Sequence, residues 1–137
     1  MNTHYVSALY LSLIVGACTG SHAIADEMVA VMGPVAGPLT KDQVADVFLG
    51  RSTALKPVDL PESSAAREEF YKKATGRDLA QVRSVWTRLI FTGRGKLPKE
   101  LPDAAAVKKA VAADPNAVGY IQRSDVDTSV KVVLSLN

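Results

Sequence analysis

The stretch Pro57-Val58-Asp59-Leu60-Pro61-Glu62-Ser63-Ser64-Ala65-Ala66-Arg67-Glu68-Glu69-Phe70 constrains the fold most, because it reads as a short strand turning through polar residues straight into a helix. A strand that feeds a helix this way belongs to α/β architectures. The turn is also where chemistry concentrates. A helix start leaves its first N–H groups unpaired at the positive end of the dipole, so Ser63, Ser64 and Arg67 are placed to hold an oxyanion there. The arginine adds a fork of donors that matches phosphate or carboxylate. The same pattern describes an ordinary helix start in which Ser63 or Ser64 is the N-cap and Arg67 pairs with Glu62 or Glu68.

At the amino terminus, Val6 to Ala17 is an uncharged apolar run, too short to span a bilayer, followed by Ala23-Ile24-Ala25 ahead of Asp26. Small residues in that pattern predict a signal peptide, residues 1–25, with the mature domain at 26–137 and a periplasmic destination. Val15-Gly16-Ala17-Cys18 offers a rival reading as a lipoprotein box, in which a lipid on Cys18 tethers the domain to a membrane.

Removing 25 residues from 137 leaves 112, the size of one domain with a modest core. His4, His22 and Cys18, the only residues of their types, all precede the cut. The mature chain therefore has no disulfide, no metal or haem ligation by the usual residues, and no Cys–His or Ser–His nucleophile. Asp59 and Glu62 read as ordinary solvated carboxylates, so no enzyme and no cofactor are expected. The net charge of +2, with both signs mixed along the chain, points away from nucleic acid and from a polybasic membrane surface.

Met28 to Met32 reads as a buried strand, bounded by a Gly-Pro-rich loop at 33–38. Thr40 caps a helix with Val44, Val47 and Phe48 inward and Gly50 as its stop. A strand follows near Leu55 to Leu60, where Pro57 implies an edge or a strand start. The helix after the turn runs from about Ala65 to Thr75, with Ala66, Phe70 and Ala74 on one face and Gly76 as its stop. Asp78 caps the next, from Leu79 to about Phe91, whose Val82, Val85, Trp86, Leu89 and Ile90 form a wide stripe expected to be the main core contact. Thr92 to Pro98 reads as a basic loop in which Arg94 and its glycines offer a second, weaker anion contact. Asp103 caps a last helix, Ala104 to Ala113, with Val107 and Val111 inward, before strands at Ala117 to Ile121 and Val130 to Leu136. The order strand, helix, strand, three helices, two strands is mixed α/β, with both ends of the mature chain in one sheet.

Three quoted stretches carry a resemblance: Leu39-Thr40-Lys41-Asp42-Gln43-Val44-Ala45-Asp46-Val47-Phe48-Leu49-Gly50-Arg51 with Pro57-Val58-Asp59, then Ser63 to Phe70, then Asn116-Ala117-Val118-Gly119-Tyr120. In that order they resemble the periplasmic phosphate-binding proteins of ABC transporters. The resemblance implies a single periplasmic-binding-protein-like lobe, a central mixed sheet flanked by helices, binding phosphate or a similar oxyanion. In that family a Gly-Ser-Gly-Thr-Arg turn supplies a serine, backbone N–H groups and an arginine. Ser64 and Arg67 match its serine and arginine, while Ala65 and Ala66 stand where the family has Gly and Thr, so one hydroxyl donor is missing. In the solute-binding reading Ser63, Ser64 and Arg67 hold the anion, with Arg94 or Arg51 helping. Full receptors of that family need two lobes of about a hundred residues or more each. A single lobe leaves its anion facing water, which implies weak binding unless a second copy, another periplasmic protein or a transporter component covers the site. The resemblance thus implies either a solute-binding module or an accessory protein that kept the fold and uses the same surface for a protein partner.

Overall fold

The computed structural model describes residues 27–136, so both readings of the amino-terminal segment fall outside the described residues. Met28–Met32 forms β1, and all five of its residues are buried. A strand read as an unbroken apolar run must be covered on both faces, and β1 lies inside the sheet between two neighbours. The helices are α1 (Lys41–Phe48), α2 (Ala65–Thr75), α3 (Leu79–Phe91) and α4 (Ala104–Ala113). The remaining strands are β2 (Lys56–Asp59), β3 (Lys99–Glu100), β4 (Ala117–Gln122) and β5 (Lys131–Leu136).

The strands are ordered β3-β2-β4-β1-β5. Strand β1 is antiparallel to β4 and β5, whereas β2 is parallel to both β3 and β4. The sheet is therefore mixed, as expected, and the first and last strands pair directly. Strand β3, immediately after the basic loop of 92–98, changes the reading of Pro57. Lys56 and Pro57 pair only with β4, and β3 begins opposite Val58. The missing N–H of Pro57 thus faces a side where no strand has yet begun, so proline is tolerated one strand in from the edge.

Local chemistry sets the helix ends. Thr40 and Asp78 each make a complete capping box, with Gln43 and Gln81, and the Asp103 carboxylate accepts the Ala106 N–H. Helix α2 stops at Gly76, whose φ of 70° costs a residue without Cβ nothing. One face of the sheet carries α4, which sits directly on the β4 backbone. A Cβ at Gly119 would lie 2.5 Å from Val107 Cγ1 and 2.9 Å from Val58 Cγ2. The other face carries α1 and α2, whose Phe48, Phe70 and Tyr71 meet Tyr120 of β4 in one aromatic cluster. Phe70 and Tyr120 stack with centroids 4.0 Å apart, and Phe48 meets Phe70 edge-on at 4.7 Å.

The expected role of α3 needs correction. Only Val82 and Trp86 of its stripe are buried, while Ile90 is 45% and Phe91 92% exposed. Helix α3 is an outer layer over α2, so most of its apolar stripe has no sheet to face, and the main core contact is the aromatic cluster beneath α1 and α2.

Candidate functional site

The carboxyl ends of β2 and β4 lie side by side, and α2 starts there. In open α/β sheets this end is where ligands are held. Ser64 is the N-cap of α2, with φ −76° and ψ 124°, yet its hydroxyl makes no capping bond. Ser63 is exposed, and neither serine hydroxyl is engaged by a described residue. The other three α-helices among the described residues are each capped by a side chain, so of the four only α2 lacks such a cap for its first-turn N–H groups.

Arg67 stands one turn into α2 with its side chain 15% exposed. Its Nη1 donates to the Leu60 carbonyl at 2.9 Å and lies 3.6 Å from Glu100 Oε2, and its Nε lies 3.7 Å from Asp59 Oδ1. The Nε itself is buried without a hydrogen bond. The partners anticipated from the sequence, Glu62 and Glu68, are not the ones used. Glu62 pairs with Arg83 at 3.3 Å across the surface, and Arg67 instead takes a carboxylate from each of two neighbouring strands.

Asp59 is the largest departure from the sequence reading. It is 3% exposed and is the one buried charged residue among the described residues. Tyr71 donates to its Oδ2 at 2.6 Å, and Tyr120 donates to its Oδ1. The Leu60 N–H is shared between Asp59 Oδ1 at 3.0 Å and the Tyr120 hydroxyl oxygen at 3.1 Å. A carboxylate removed from water is held only where such donors replace the water. One signal was present in the sequence. Tyr120 falls in the apolar run Ala117 to Ile121, and a tyrosine in a buried strand needs a partner for its hydroxyl.

Burial, then the neighbouring Asp59 charge, pushes the hydroxyl pKa of both Tyr71 and Tyr120 far above the ordinary tyrosine value. The unfolded chain releases these protons near pH 10, whereas the folded chain keeps them. Stability from this pair is therefore fully present below about pH 10 and falls as pH rises above it. Protein beginning at Asp26 contains no other tyrosine. Its native ultraviolet spectrum should show no tyrosinate step around pH 10, and both tyrosines should ionise together in the alkaline unfolding transition. A step of one tyrosine in the native baseline would show that one hydroxyl is free of Asp59.

The remaining predicted residues lie elsewhere. Arg94 is exposed and lines a groove with Lys56 and Ala117, the first residues of β2 and β4, at the opposite end of those strands from Ser64. Arg51 is exposed and pairs with Asp46 at 3.6 Å. The structure thus brings Ser63, Ser64 and Arg67 to one turn and leaves Arg94 and Arg51 outside it. No group of three or more His, Cys, Asp or Glu among the described residues is arranged to hold a metal ion, and no described helix is long and apolar enough to cross a membrane.

No protein-family model and no curated protein matches the chain in sequence. Solved structures do match. A phosphate ABC transporter substrate-binding protein of Clostridium perfringens, with bound phosphate, aligns over 79% of this chain and 44% of its own, at 21% identity and a TM-score of 0.63. An ABC-type phosphate transport receptor of Vibrio cholerae aligns over 79% and 45%, at 21% identity and a TM-score of 0.62. PstS of Borrelia burgdorferi aligns over 79% and 46%, at 10% identity and a TM-score of 0.53. The chain has the fold of one part of these proteins and spans less than half the length of each.

Proposed function

We propose that this chain is an exported, non-enzymatic solute-binding module that takes phosphate or a similar oxyanion at the start of α2. The observation that carries the reading is the uncapped α2 start, with two unengaged serine hydroxyls and Arg67 in the first turn, at the carboxyl ends of β2 and β4. The fold shared with a phosphate-bound substrate-binding protein supports it. The mature protein begins at Asp26 in this reading, and intact mass of the exported product checks that. A lipid adduct on Cys18 would reverse it and move the module to a membrane surface.

Arg67 is not free for the ligand. Asp59 and Glu100 both lie within 4 Å of its guanidinium, so the local charge sums to minus one before any anion arrives. Binding is therefore weak, resting on N–H groups, the serines and what Arg67 has left. Substituting Arg67 tests folding as much as binding, since it removes the cation beside a buried carboxylate. Ser64 is the cleaner probe, because its side chain makes no cap to lose. Ser64→Ala should leave urea stability unchanged and weaken phosphate binding about tenfold, the lower end for a hydrogen bond to a charged group. Ser64→Asp should cap α2, hold or raise stability, and abolish phosphate binding in calorimetry.

The engaged guanidinium also favours a second reading, an accessory module that kept the fold and presents this surface to another exported protein. Parent protein that gives no binding heat with phosphate or sulfate, or a Ser64→Asp variant that binds as the parent does, would leave that reading standing.

A further inference from the structure

The groove at the amino ends of β2 and β4 is built unlike the α2 turn. It is an open groove of about 890 Å³, a volume within the range of small-molecule sites. Val47, Val58, Trp86 and Ala117 give it an apolar floor, and Leu55 and Leu97 line its sides. The 93–98 loop forms one wall, with the backbone at Gly95 passing close to Trp86 and Leu89. A Cβ at Gly95 would stand 3.3 Å from Leu89 Cβ and 3.4 Å from Trp86 Cζ3, and Gly93 turns the chain at φ 70°. The loop leaves Leu97 64% exposed between Lys96 and Pro98.

Four cations, Lys56, Arg94, Lys96 and Lys99, border this apolar floor against one carboxylate, Asp114. That carboxylate is already occupied. It accepts from Lys56 Nζ at 3.3 Å and from the Asn116 N–H at 2.9 Å, and chiefly the latter holds its pKa below the usual value. Arg94, Lys96 and Lys99 are exposed and have no ion pair with a described residue. Excess positive charge around an apolar floor selects against two kinds of ligand. A hydrated inorganic anion gains nothing from the floor, and a neutral apolar molecule gains nothing from the rim.

We propose that this groove is a second binding site, distinct from the α2 turn, for an anionic amphiphile: an alkyl chain that lies on Trp86, Val58 and Leu97 and ends in a carboxylate held by Arg94 and Lys96. Trp86 is the only tryptophan of the chain and lines the groove, so its emission reads out binding there. Titrating the full chain with decanoate below its micellar range should shift Trp86 emission saturably, with a matching heat in calorimetry. Decanol, the same chain without charge, should bind at least tenfold more weakly, and added salt should weaken decanoate but not decanol. The double substitution R94E/K96E should weaken decanoate at least tenfold with an unchanged circular dichroism spectrum, because both side chains are exposed and unpaired. Leu97→Ser should weaken decanoate and decanol together. Absence of saturable decanoate binding by both readouts overturns the proposal, as does equal binding by R94E/K96E. Concentration-dependent dimerisation lost in R94E/K96E would assign the groove to a second copy of the chain and overturn it as well. Inorganic phosphate should leave Trp86 emission unmoved, which separates this site from the α2 turn; a saturable phosphate effect on Trp86 emission, with no chain for the floor to hold, would overturn the proposal.

Discussion

Asp59→Ala should lower stability by about 3–5 kcal/mol, the cost of removing one partner from a buried charged pair. Several groups lose their acceptor at once. Tyr71 and Tyr120 keep hydroxyls that burial denies to water, the Leu60 N–H loses one of its two acceptors, and the guanidinium of Arg67 loses one of its two strand carboxylates. A domain of this size is stable by about 5–15 kcal/mol in total, so the variant should unfold at far lower urea or not fold at all. Asp59→Asn keeps the shape and one acceptor oxygen, and Glu100 remains beside Arg67, so it should cost less, about 1–3 kcal/mol. Urea unfolding of both variants checks the order. Coupling between Asp59→Asn and Tyr120→Phe of about 0.5–3 kcal/mol in a double-mutant cycle is also expected, because they share one hydrogen bond. Asp59→Ala within 1 kcal/mol of the parent would mean that the carboxylate is solvated, as the sequence alone suggested.

That contrast shows what the sequence carries. Thr40, Asp78, Asp103 and Gly76 were legible because a cap is a contract among residues three or four apart. The inward faces of α1 and α4 were legible for the same reason, since Val44, Val47, Val107 and Val111 follow the helical period. The fate of Asp59 depends instead on Tyr71, 12 residues on, and Tyr120, 61 residues on. No local pattern says that these will close over it. Strand β3 was hidden by the same logic. It is two residues long, too short for a periodic signal, and exists because β2 offers it an edge.

The candidate site divides along that line too. Ser64 and Arg67 lie within four residues at one helix start, and their proximity could be read directly. The grouping of Arg94 with them required knowing which end of β2 the 92–98 loop would reach. It reaches the amino end, because that loop must deliver Lys99 opposite Val58 in a parallel pairing. The strand direction that carries Ser64 to one end of the sheet therefore carries Arg94 to the other.

Helix α3 offers the second large effect, and it tests how an outer helix is held. Trp86 is 7% exposed, and its indole Nε1 donates to the Phe48 carbonyl at 2.9 Å. Helix α1 ends at Phe48, so that carbonyl is one of those a helix terminus leaves without an internal partner. Trp86 therefore fills space and also satisfies a backbone acceptor belonging to another helix. The chain makes room for it: Gly50, at φ 72°, would place a Cβ 3.2 Å from Trp86 Cη2 and 2.4 Å from Leu89 Cδ1. Trp86→Ala should cost about 3–5 kcal/mol, read by urea unfolding. Trp86→Phe separates the two roles. It keeps most of the ring contact but leaves the Phe48 carbonyl unpaired, and should cost about 1–3 kcal/mol. Since Val82 is the only other buried residue of α3, losing Trp86 should loosen that helix before the sheet. Hydrogen exchange at residues 79–91 of Trp86→Ala should then quicken at urea concentrations where β1 and β4 amides stay protected. Simultaneous exchange of α3 and the central strands would instead show that the outer helix and the sheet unfold as one unit, with Trp86 as part of the core itself.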